Sequence, residues 1–592
     1  MLQAPALAPA LALALLLGAA NQAAHGQQRR AGSQPDRYDI LITGGRVLDG
    51  TGNPWYPADI GIRDGRIAAV GRLAAAGATA ARTIDARGLV VSPGFIDLHS
   101  HADDGARAEG GLRDRDPRRR AAPNLVAQGI TTVVVNQDGR SPWPIRDQRQ
   151  RLEEAGIGPN AILLVGHGTV RRLVMGEDFR RPATDEEIRR MRALVRQGME
   201  EGAWGLSAGL EYVPGRWSTT DEVVQLVEEI VPYGGVYISH ERSEGSDPMW
   251  YWPSQDEPGP PTLLDAVRET IEIGERTGAI VVASHIKAKG AHYWGSSHAA
   301  IQLIEAARAR GVNVWADQYP YATSGTDGST VLVPRWALAA AETGGAPVRA
   351  ADGRPRRDYA AALRRTLSDP DAAARVRRDI AHEISRRGGA ERIVVFDHPD
   401  SSFIGASLAE LAARHGITPV EMAIRLQLEG DPTRAGGARV RGFSLSEYDI
   451  ESYAAKPWVA TATDGGIALP EDGPGVHARF YGTFPRKIAY YARERGVLSI
   501  EDAVRSATSL PATILGLQDR GMIREGYHAD IVIFDPERIR DTATFFEPHS
   551  YPEGIVHVLV NGQFVVEDGR VTVRLPGAVL TKQRPAWSAT EQ

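Results

Sequence analysis

Short apolar segments that recur along the middle of the chain constrain its fold more than any other feature. Eight of them lie at residues 94–98, 131–135, 161–165, 203–206, 235–239, 279–283, 312–316 and 458–462. The first seven begin about 30 to 45 residues apart, with helical stretches between them, which is the arrangement of βα units. Eight such units predict an α/β fold with a (β/α)8 TIM barrel. A doubly wound open sheet is the alternative, but it does not predict the placement of polar residues described below.

The remaining segments are assigned around this barrel. Residues 38–82 have short alternating strands broken by Gly and Asp, and the stretches HADIVIFDP and IVHVLVNGQFVVEDGRV have the same pattern near the other end. We therefore expect a small β-sandwich domain built from both chain ends. The interval before the last barrel strand is too long for a structureless loop, so it predicts an inserted subdomain. The predicted units are 1–26 signal peptide, 27–37 polar linker, 38–92 first part of the sandwich, 93–335 barrel strands one to seven, 336–457 inserted subdomain, 458–518 barrel strand eight with its helices, 519–575 second part of the sandwich and 576–592 tail.

Polar side chains follow five of the eight predicted strands. They are His99 and His101 after the first strand, Asp138 after the second, His240 after the fifth, His285 after the sixth and Asp464 after the eighth. Residues i and i+2 of a strand face the same side, so the two histidines of the HSH sequence can both point into the barrel mouth. Active sites of TIM barrels are built at these carboxyl ends of the strands.

These residue types predict a divalent metal site. A single HxH pair is weak support, because core histidines also occur at this spacing. Four imidazoles and two carboxylates on one rim are the nitrogen and oxygen donors that bind divalent transition metals. The chain contains no Cys, which excludes thiolate ligands, disulfides and a Cys nucleophile.

Several motifs resemble those of the amidohydrolase superfamily. SPGFIDLHSHADD, the histidines at the strand ends and TDGG are similar to that superfamily, whose members are metal-dependent hydrolases with a barrel and a small β-sandwich. GNPWYPADIGIRDGRIAAVG, GAWGLSAGLEY, ISHERSEG, SHIKAKG, DQYPYAT and HARFYGTFPRKI resemble its N-acyl-D-amino-acid deacylase (D-aminoacylase) branch. The resemblance covers nearly all of residues 38–573.

The resemblance implies roles for the six polar residues. His99 and His101 are the expected ligands of one metal position, His240 and His285 of a tighter one, and Asp464 is the expected acid/base. The branch has a Cys in a GNCG turn where this chain has NQDG, so Asp138 takes the place of the remaining ligand. A carboxylate is a harder ligand than a thiolate and can bridge two metals. We therefore expect either one or two divalent ions, with zinc the expected element. The alternative is that Asp138 only caps a turn.

The expected reaction is the hydrolysis of an amide by metal-activated water, with Asp464 exchanging the protons. The resemblance also implies that Lys287, Tyr319 and Arg479 hold the carboxylate of an N-acyl amino acid. An ordinary ion pair is the alternative for Arg479. The aromatic segment Met249 to Trp252 has two interpretations, as part of the acyl pocket or as loop packing. No lysine precedes Lys287, so a carboxylated lysine of the dihydropyrimidinase type is not available on the middle strands.

We therefore expect hydrolysis of N-acyl-D-amino acids to a carboxylate and a free D-amino acid. Alternatives with the same chemistry are D-residue dipeptides, N-acyl acidic D-amino acids and cyclic amides, and a non-catalytic barrel is a remote one. The D preference comes from the resemblance alone, because no spacing distinguishes D from L.

The net charge and residues 1–26 give expectations about binding partners and cellular location. The net charge of −6 argues against a nucleic-acid partner, so a small-molecule substrate is expected. Residues 1–26 have no charged side chain and include the apolar run LALALLLGAA, which is too short to span a bilayer. We interpret them as a signal peptide, although the usual basic residues before the core are missing. The mature protein is then exported, periplasmic or secreted, without a membrane span, and its oligomeric state is open.

Overall fold

The computed structural model describes residues 37–103, 110–325, 330–342, 348–349 and 355–584. The predicted signal peptide lies outside these residues, as does the predicted linker apart from Arg37. Within the described part, no helix combines the length and the apolar character needed to cross a membrane.

Eight parallel strands in the middle of the chain pair in sequence order. They are Phe95–Asp97, Ile130–Val135, the split strand Asn160–Leu163 and Val165–Gly166, Gly205–Gly209, Val236–His240, Ile280–Ala283, Val314–Gln318 and Val459–Thr461. Each overlaps one of the eight predicted strands. The two-residue strands Ser100–His101 and Gly465–Gly466, which follow the first and last of them, also pair in parallel. The first and last strands therefore meet at their carboxyl ends, and we call this ring of strands the barrel.

Helices follow the barrel strands, as βα units require. The two longest, Asp185–Glu200 and Leu263–Thr277, begin with side-chain caps, Thr184 with Glu187 and Thr262 with Asp265, which satisfy free amide groups of the first turn. The helices of the barrel region are Pro117–Arg120, Pro123–Val126, Ile145–Ala155, His167–Met175, Asp185–Glu200, Thr220–Val227, Leu263–Thr277, Ser297–Ala309, Arg479–Arg486, the π-helical Lys487–Glu494, Ile500–Ala507 and Ser509–Leu515. Short 3-10 segments lie at Gly111–Arg113, Gly215–Trp217, Val231–Tyr233, Ala291–Tyr293 and Pro470–Asp472.

Strands from both chain ends form one nine-stranded sheet. Its members are Arg37–Val47, Tyr56–Arg63, Arg66–Gly71, Thr79–Asp85, Val90–Pro93, Ile531–Phe534, Ile555–Val560, Gln563–Glu567 and Arg570–Val571. The two halves join where Val90–Pro93 pairs antiparallel with Ile531–Phe534. Alternate residues of Ile531–Phe534 face different neighbours. Ile533 packs in the core of this sheet, whereas Val532 and Phe534 pack with the barrel.

A separate unit lies between barrel strands seven and eight. It has its own buried apolar cluster, which includes Leu363, Val376, Ile393 and Leu411. Its helices are Ala339–Glu342, Tyr359–Leu367, Pro370–Arg386, Leu408–His415, Pro419–Glu429 and Glu447–Ala454, with 3-10 segments at Arg335–Leu338, Ala390–Arg392 and Ser401–Phe403. Its strand pairs are Val348–Arg349 with Pro355–Arg356 and Ile393–Asp397 with Arg439–Gly442.

Part of the segment predicted as a tail returns to the barrel. The strand Val579–Leu580 pairs in parallel with Asn160–Leu163, at the amino-terminal half of the third barrel strand. Lys582 donates to the carbonyl of Leu515 at 2.9 Å and lies over the ring of Trp204. The described chain therefore ends on the side of the barrel opposite the strand ends that carry the polar residues.

Candidate metal centre

The six polar residues predicted from the strand ends meet at the carboxyl end of the barrel. Four sets of three possible ligand atoms lie close together. They are His99 with His285 and Asp464, His99 with His101 and Asp138, Asp138 with His240 and His285, and Glu211 with His240 and Glu244. The first three sets consist only of predicted residues, so the structure brings all six together.

Asp138 lies at the centre of this group. Its Oδ1 is 3.6 Å from His99 Nε2, 3.5 Å from His240 Nδ1 and 3.7 Å from His285 Nε2. Its Oδ2 is 3.5 Å from His101 Nε2. The single carboxylate therefore faces both predicted histidine pairs.

Unusual backbone geometry directs three of these side chains. Asp138, His285 and Asp464 have φ angles of 57°, 35° and 47°, in the left-handed region that residues other than glycine rarely adopt. Such strain persists only where the surrounding structure imposes it, and it is concentrated at functional sites. At each position the turn follows a barrel strand and aims the side chain at the same point.

The donor set fits a divalent cation. His99 Nε2 and Asp138 Oδ1 are buried, and neither has a hydrogen-bond partner among the described residues. Buried polar atoms are almost always satisfied, so an unpaired nitrogen and an unpaired oxygen that face each other indicate a ligand between them. Burial lowers the pKa of His240, but the charges of Asp138 and Glu244 outweigh it and raise that pKa to about 10. The centre therefore favours a positive charge, which a metal ion supplies.

Hydrogen bonds fix the orientation of several candidate ligands. His99 Nδ1 lies 2.6 Å from Ser284 Oγ, which donates to Asp317 Oδ2 at 2.7 Å. The backbone N–H of His285 donates to the other oxygen of Asp317 at 2.6 Å. Asp317 thus holds two histidines through different routes, as expected of groups that surround metal ligands.

Sequence reasoning missed the carboxylates of Glu211 and Glu244. Glu211 Oε2 is 3.1 Å from His240 Nε2, and its Oε1 accepts from the backbone N–H of Met249 at 2.6 Å. Glu244 lies 3.4 Å from His285 Nδ1. Glu211 comes directly after the fourth barrel strand and its turn, which is the signal that identified the other residues and that could have identified this one.

Asp464 is held in its ionised form. Burial raises the pKa of its carboxyl, but the charges of Arg479 and of the neighbouring histidines outweigh burial and hold the pKa below its usual range. Asp464 Oδ2 lies 3.0 Å from Arg479 Nη1, in a contact that is an ion pair rather than an aligned hydrogen bond. Asp464 Oδ1 lies 3.1 Å from His101 Nε2.

The three residues predicted to bind substrate lie together beside Asp464. The guanidinium of Arg479 is 4.4 Å from the ring centre of Tyr319, and Lys287 Nζ is 5.5 Å from it. The hydroxyl of Tyr319 has no hydrogen-bond partner in the described residues. Lys287 also donates to Glu244 and lies 2.7 Å from His285 Nδ1, contacts that the sequence did not predict.

A cavity of about 970 Å3 opens over these residues. This size suits a small organic substrate. Of the aromatic segment, Met249 lines the cavity, whereas Trp250 packs on Arg216 and Trp252 on Arg386. The two tryptophans therefore serve loop packing, one of the two interpretations open from the sequence.

Comparison with known proteins agrees with the family resemblance seen in the sequence. A family model described as "Amidohydrolase family" matches residues 82–226 and 356–566. The chain is 32% identical to D-aminoacylase of Alcaligenes xylosoxydans xylosoxydans, over 93% of this chain and 98% of that protein. It is also 32% identical to N-acyl-D-glutamate deacylase of the same organism, over 94% of this chain and 99% of that protein.

A solved structure shows the same relationship. N-acyl-D-glutamate deacylase from Bordetella bronchiseptica, complexed with zinc and a phosphonate mimic of the tetrahedral intermediate, is similar with a TM-score of 0.67 and 30% identity. The match covers 92% of this chain and 100% of that chain. This chain therefore belongs to the amidohydrolase family.

Proposed function

We propose that this protein is a metal-dependent hydrolase that cleaves the amide bond of N-acyl-D-amino acids to a carboxylate and a free D-amino acid. The observation that carries the proposal is the ion pair of Asp464 with Arg479, next to the cluster of four histidines and Asp138. It supports the proposal because a carboxylate that can accept a proton, a cluster of possible metal ligands and a cation that can bind a carboxylate lie together at one cavity. The relatives that share the sequence along its length are deacylases of this class.

His99, His101, Asp138, His240 and His285 are the residues that would hold one or two divalent ions, with zinc the expected element. When bound, such an ion supplies a Lewis acid that polarises the scissile carbonyl and makes water a better nucleophile at neutral pH. Asp317 and Glu211 keep the histidine rings in place.

Asp464 carries the proton transfers. Since its pKa is low, the carboxylate is ionised at neutral pH and can accept a proton from the attacking water. It then delivers that proton to the amide nitrogen, because an amine leaves only when protonated. Because Asp464 lies among the candidate metal ligands, its carboxylate can reach both the oxygen of the attacking water and the nitrogen of the amide.

Arg479, Tyr319 and Lys287 bind the α-carboxylate of the substrate. The guanidinium of Arg479 is planar and can donate two parallel hydrogen bonds to a carboxylate, and the unpaired hydroxyl of Tyr319 is a further donor. Because Arg479 also contacts Asp464, this binding sets the distance between the carboxylate and the scissile bond.

The finer architecture is part of the proposal. A TIM barrel, a β-sandwich from both chain ends and an inserted subdomain are supported by the strand pairing and the separate apolar clusters. Export through residues 1–26 is supported by their composition.

The test is the hydrolysis of paired N-acetyl-D- and N-acetyl-L-amino acids by the metal-reconstituted protein, with bound metal counted in the same sample. We expect turnover of the D series, and its loss by at least about 100-fold in Asp464→Asn with metal still bound. Asp472→Asn, at the wall of the same cavity, is the matched control and should retain activity. Bound metal without turnover of either enantiomer would overturn the substrate assignment.

A further inference from the structure

The cavity has two unlike walls. Lys287, Tyr319 and Arg479 follow barrel strands six, seven and eight. The wall across the ring is lined by Arg140 after strand two and by Tyr212 after strand four. The candidate metal ligands lie between these walls, so a substrate that extends on both sides of the scissile bond can contact both.

Arg140 is the unusual residue of the second wall. Its guanidinium lies 5.6 Å from the ring centre of Tyr212, and that ring lies 4.1 Å from the ring of the candidate ligand His240. The arginine is exposed to the cavity and stands one aromatic ring away from the metal cluster.

Other arginines at the cavity are neutralised by acidic partners. Arg119 pairs with Asp472, and Arg387 pairs with Glu383 at 2.7 Å. Arg140 forms no ion pair with any acid in the described residues. A cation that faces a substrate cavity without a counter-ion is available to bind an anion on the substrate.

The orientation of the bound substrate determines which of its anionic groups faces Arg140. With the α-carboxylate on Arg479 and the scissile carbonyl at the metal ligands, the nitrogen side of the amide occupies the wall of strands six to eight. The acyl group continues from the carbonyl carbon toward the opposite wall, where Arg140 lies. Arg140 therefore faces the acyl half of the substrate and not its α-carboxylate.

We propose that the preferred acyl group is a short dicarboxylic one, such as succinyl, whose free carboxylate binds Arg140. This inference rests on the proposed function and names its substrate class. Water is added across the amide: the C–N bond breaks, the carbonyl carbon gains the oxygen of water, and the nitrogen gains a proton. The products are a dicarboxylate and a free D-amino acid.

The test compares N-succinyl and N-succinamoyl derivatives of one D-amino acid that the metal-loaded enzyme hydrolyses as its N-acetyl form. The two acyl groups have nearly the same shape, but only succinyl carries a negative charge. We expect kcat/KM to be about tenfold higher for succinyl. In Arg140→Gln the ratio should fall to near one through slower succinyl hydrolysis, and Arg140→Lys should retain part of it.

Arg172→Gln is the matched control, because Arg172 also lies over an aromatic ring, Phe179, but away from the cavity. It should leave the ratio unchanged. A ratio near one in the natural enzyme, or a ratio that survives Arg140→Gln, would overturn this inference while leaving the deacylase intact. Loss of N-acetyl hydrolysis itself would mean that the proposed function has failed instead.

Discussion

At the scale of single residues, we propose that Asp138 sets the metal preference of the candidate centre. Its two oxygens face both histidine pairs, and a carboxylate favours harder ions than a thiolate does. We predict that Asp138→Cys raises the bound Zn²⁺ to Mn²⁺ ratio by about tenfold after dialysis against equal concentrations of both ions. Elemental analysis measures this ratio directly.

A control separates ligand exchange from the mere addition of a thiol. Asp114 also lines the cavity but belongs to none of the ligand sets, so Asp114→Cys should leave the ratio unchanged. If Asp138→Cys has the same metal preference as the natural protein, Asp138 is not a ligand and the turn-cap interpretation stands.

Glu211 is predicted to control metal affinity through the orientation of His240. Its hydrogen bond to His240 Nε2 keeps a proton on that nitrogen and so presents Nδ1 to the cluster. Loss of such a partner typically weakens metal binding by about 10- to 100-fold, and we expect this of Glu211→Gln in competition with a chromophoric chelator. Glu241→Gln is the control, since Glu241 is also buried but bonds Thr270. Equal affinities in the two variants would contradict the prediction.

Single residues also show how far sequence reasoning reaches. The five candidate ligands and the candidate acid/base Asp464 were predictable because position after a barrel strand determines where a side chain points. Asp317 and Glu244 were not, because their importance lies in which atoms they contact, and contacts between distant segments follow from packing. The pairing of Lys287 with Glu244 is of the same kind.

At the scale of elements, the helix after barrel strand eight contains a buried lysine that should make stability depend on pH. Lys487 is 2% exposed, and its ammonium has no hydrogen-bond partner in the described residues. Burial lowers its pKa to about 8, from 10.5 in a solvated lysine. Between these values the unfolded chain binds more protons than the folded one, so stability rises with pH.

We therefore predict that Lys487→Met stabilises the fold by up to about 3 kcal/mol below pH 8. The gain should shrink as the pH rises from about 8 to 10.5, because the natural lysine then loses its charge. Denaturant unfolding at pH 7 and pH 10 measures both values. Lys456→Met, at a partly exposed lysine paired with Glu305, should show no such pH-dependent gain. A gain that is the same at both pH values would exclude titration of Lys487 as its cause.

Elements differ in how well their sequence predicts them. The barrel strands are short, largely buried apolar runs, the first seven at similar intervals, and each predicted strand overlaps an observed one. The strand Val579–Leu580 has only two residues and hence no periodicity, so its pairing with the third barrel strand follows from the space beside Asn160–Leu163 rather than from its own sequence. The interruption of the third barrel strand at Leu164 likewise has no signal in the sequence.

At the scale of the whole molecule, the residues of the candidate metal centre connect distant parts of the chain. His99, Asp138, His240, His285 and Asp464 follow barrel strands one, two, five, six and eight, which together surround the ring. An ion bound by these residues contacts both ends of the barrel sequence at once. Such an ion binds the folded state only, because the unfolded chain does not assemble the ligands, and this stabilises the fold by mass action.

We accordingly predict that complete removal of the metal by a chelator lowers the midpoint of thermal unfolding by on the order of 5 °C, and that adding the ion back restores it. Calorimetry with elemental analysis of each sample makes the measurement. The control is His285→Ala, which removes a residue common to two of the ligand sets. Its midpoint should start low and should respond less to the chelator than that of the natural protein. If the natural protein loses all its metal and keeps its midpoint, the ligands are already held in place by the hydrogen bonds of Asp317 and Glu211, and the metal serves the reaction alone.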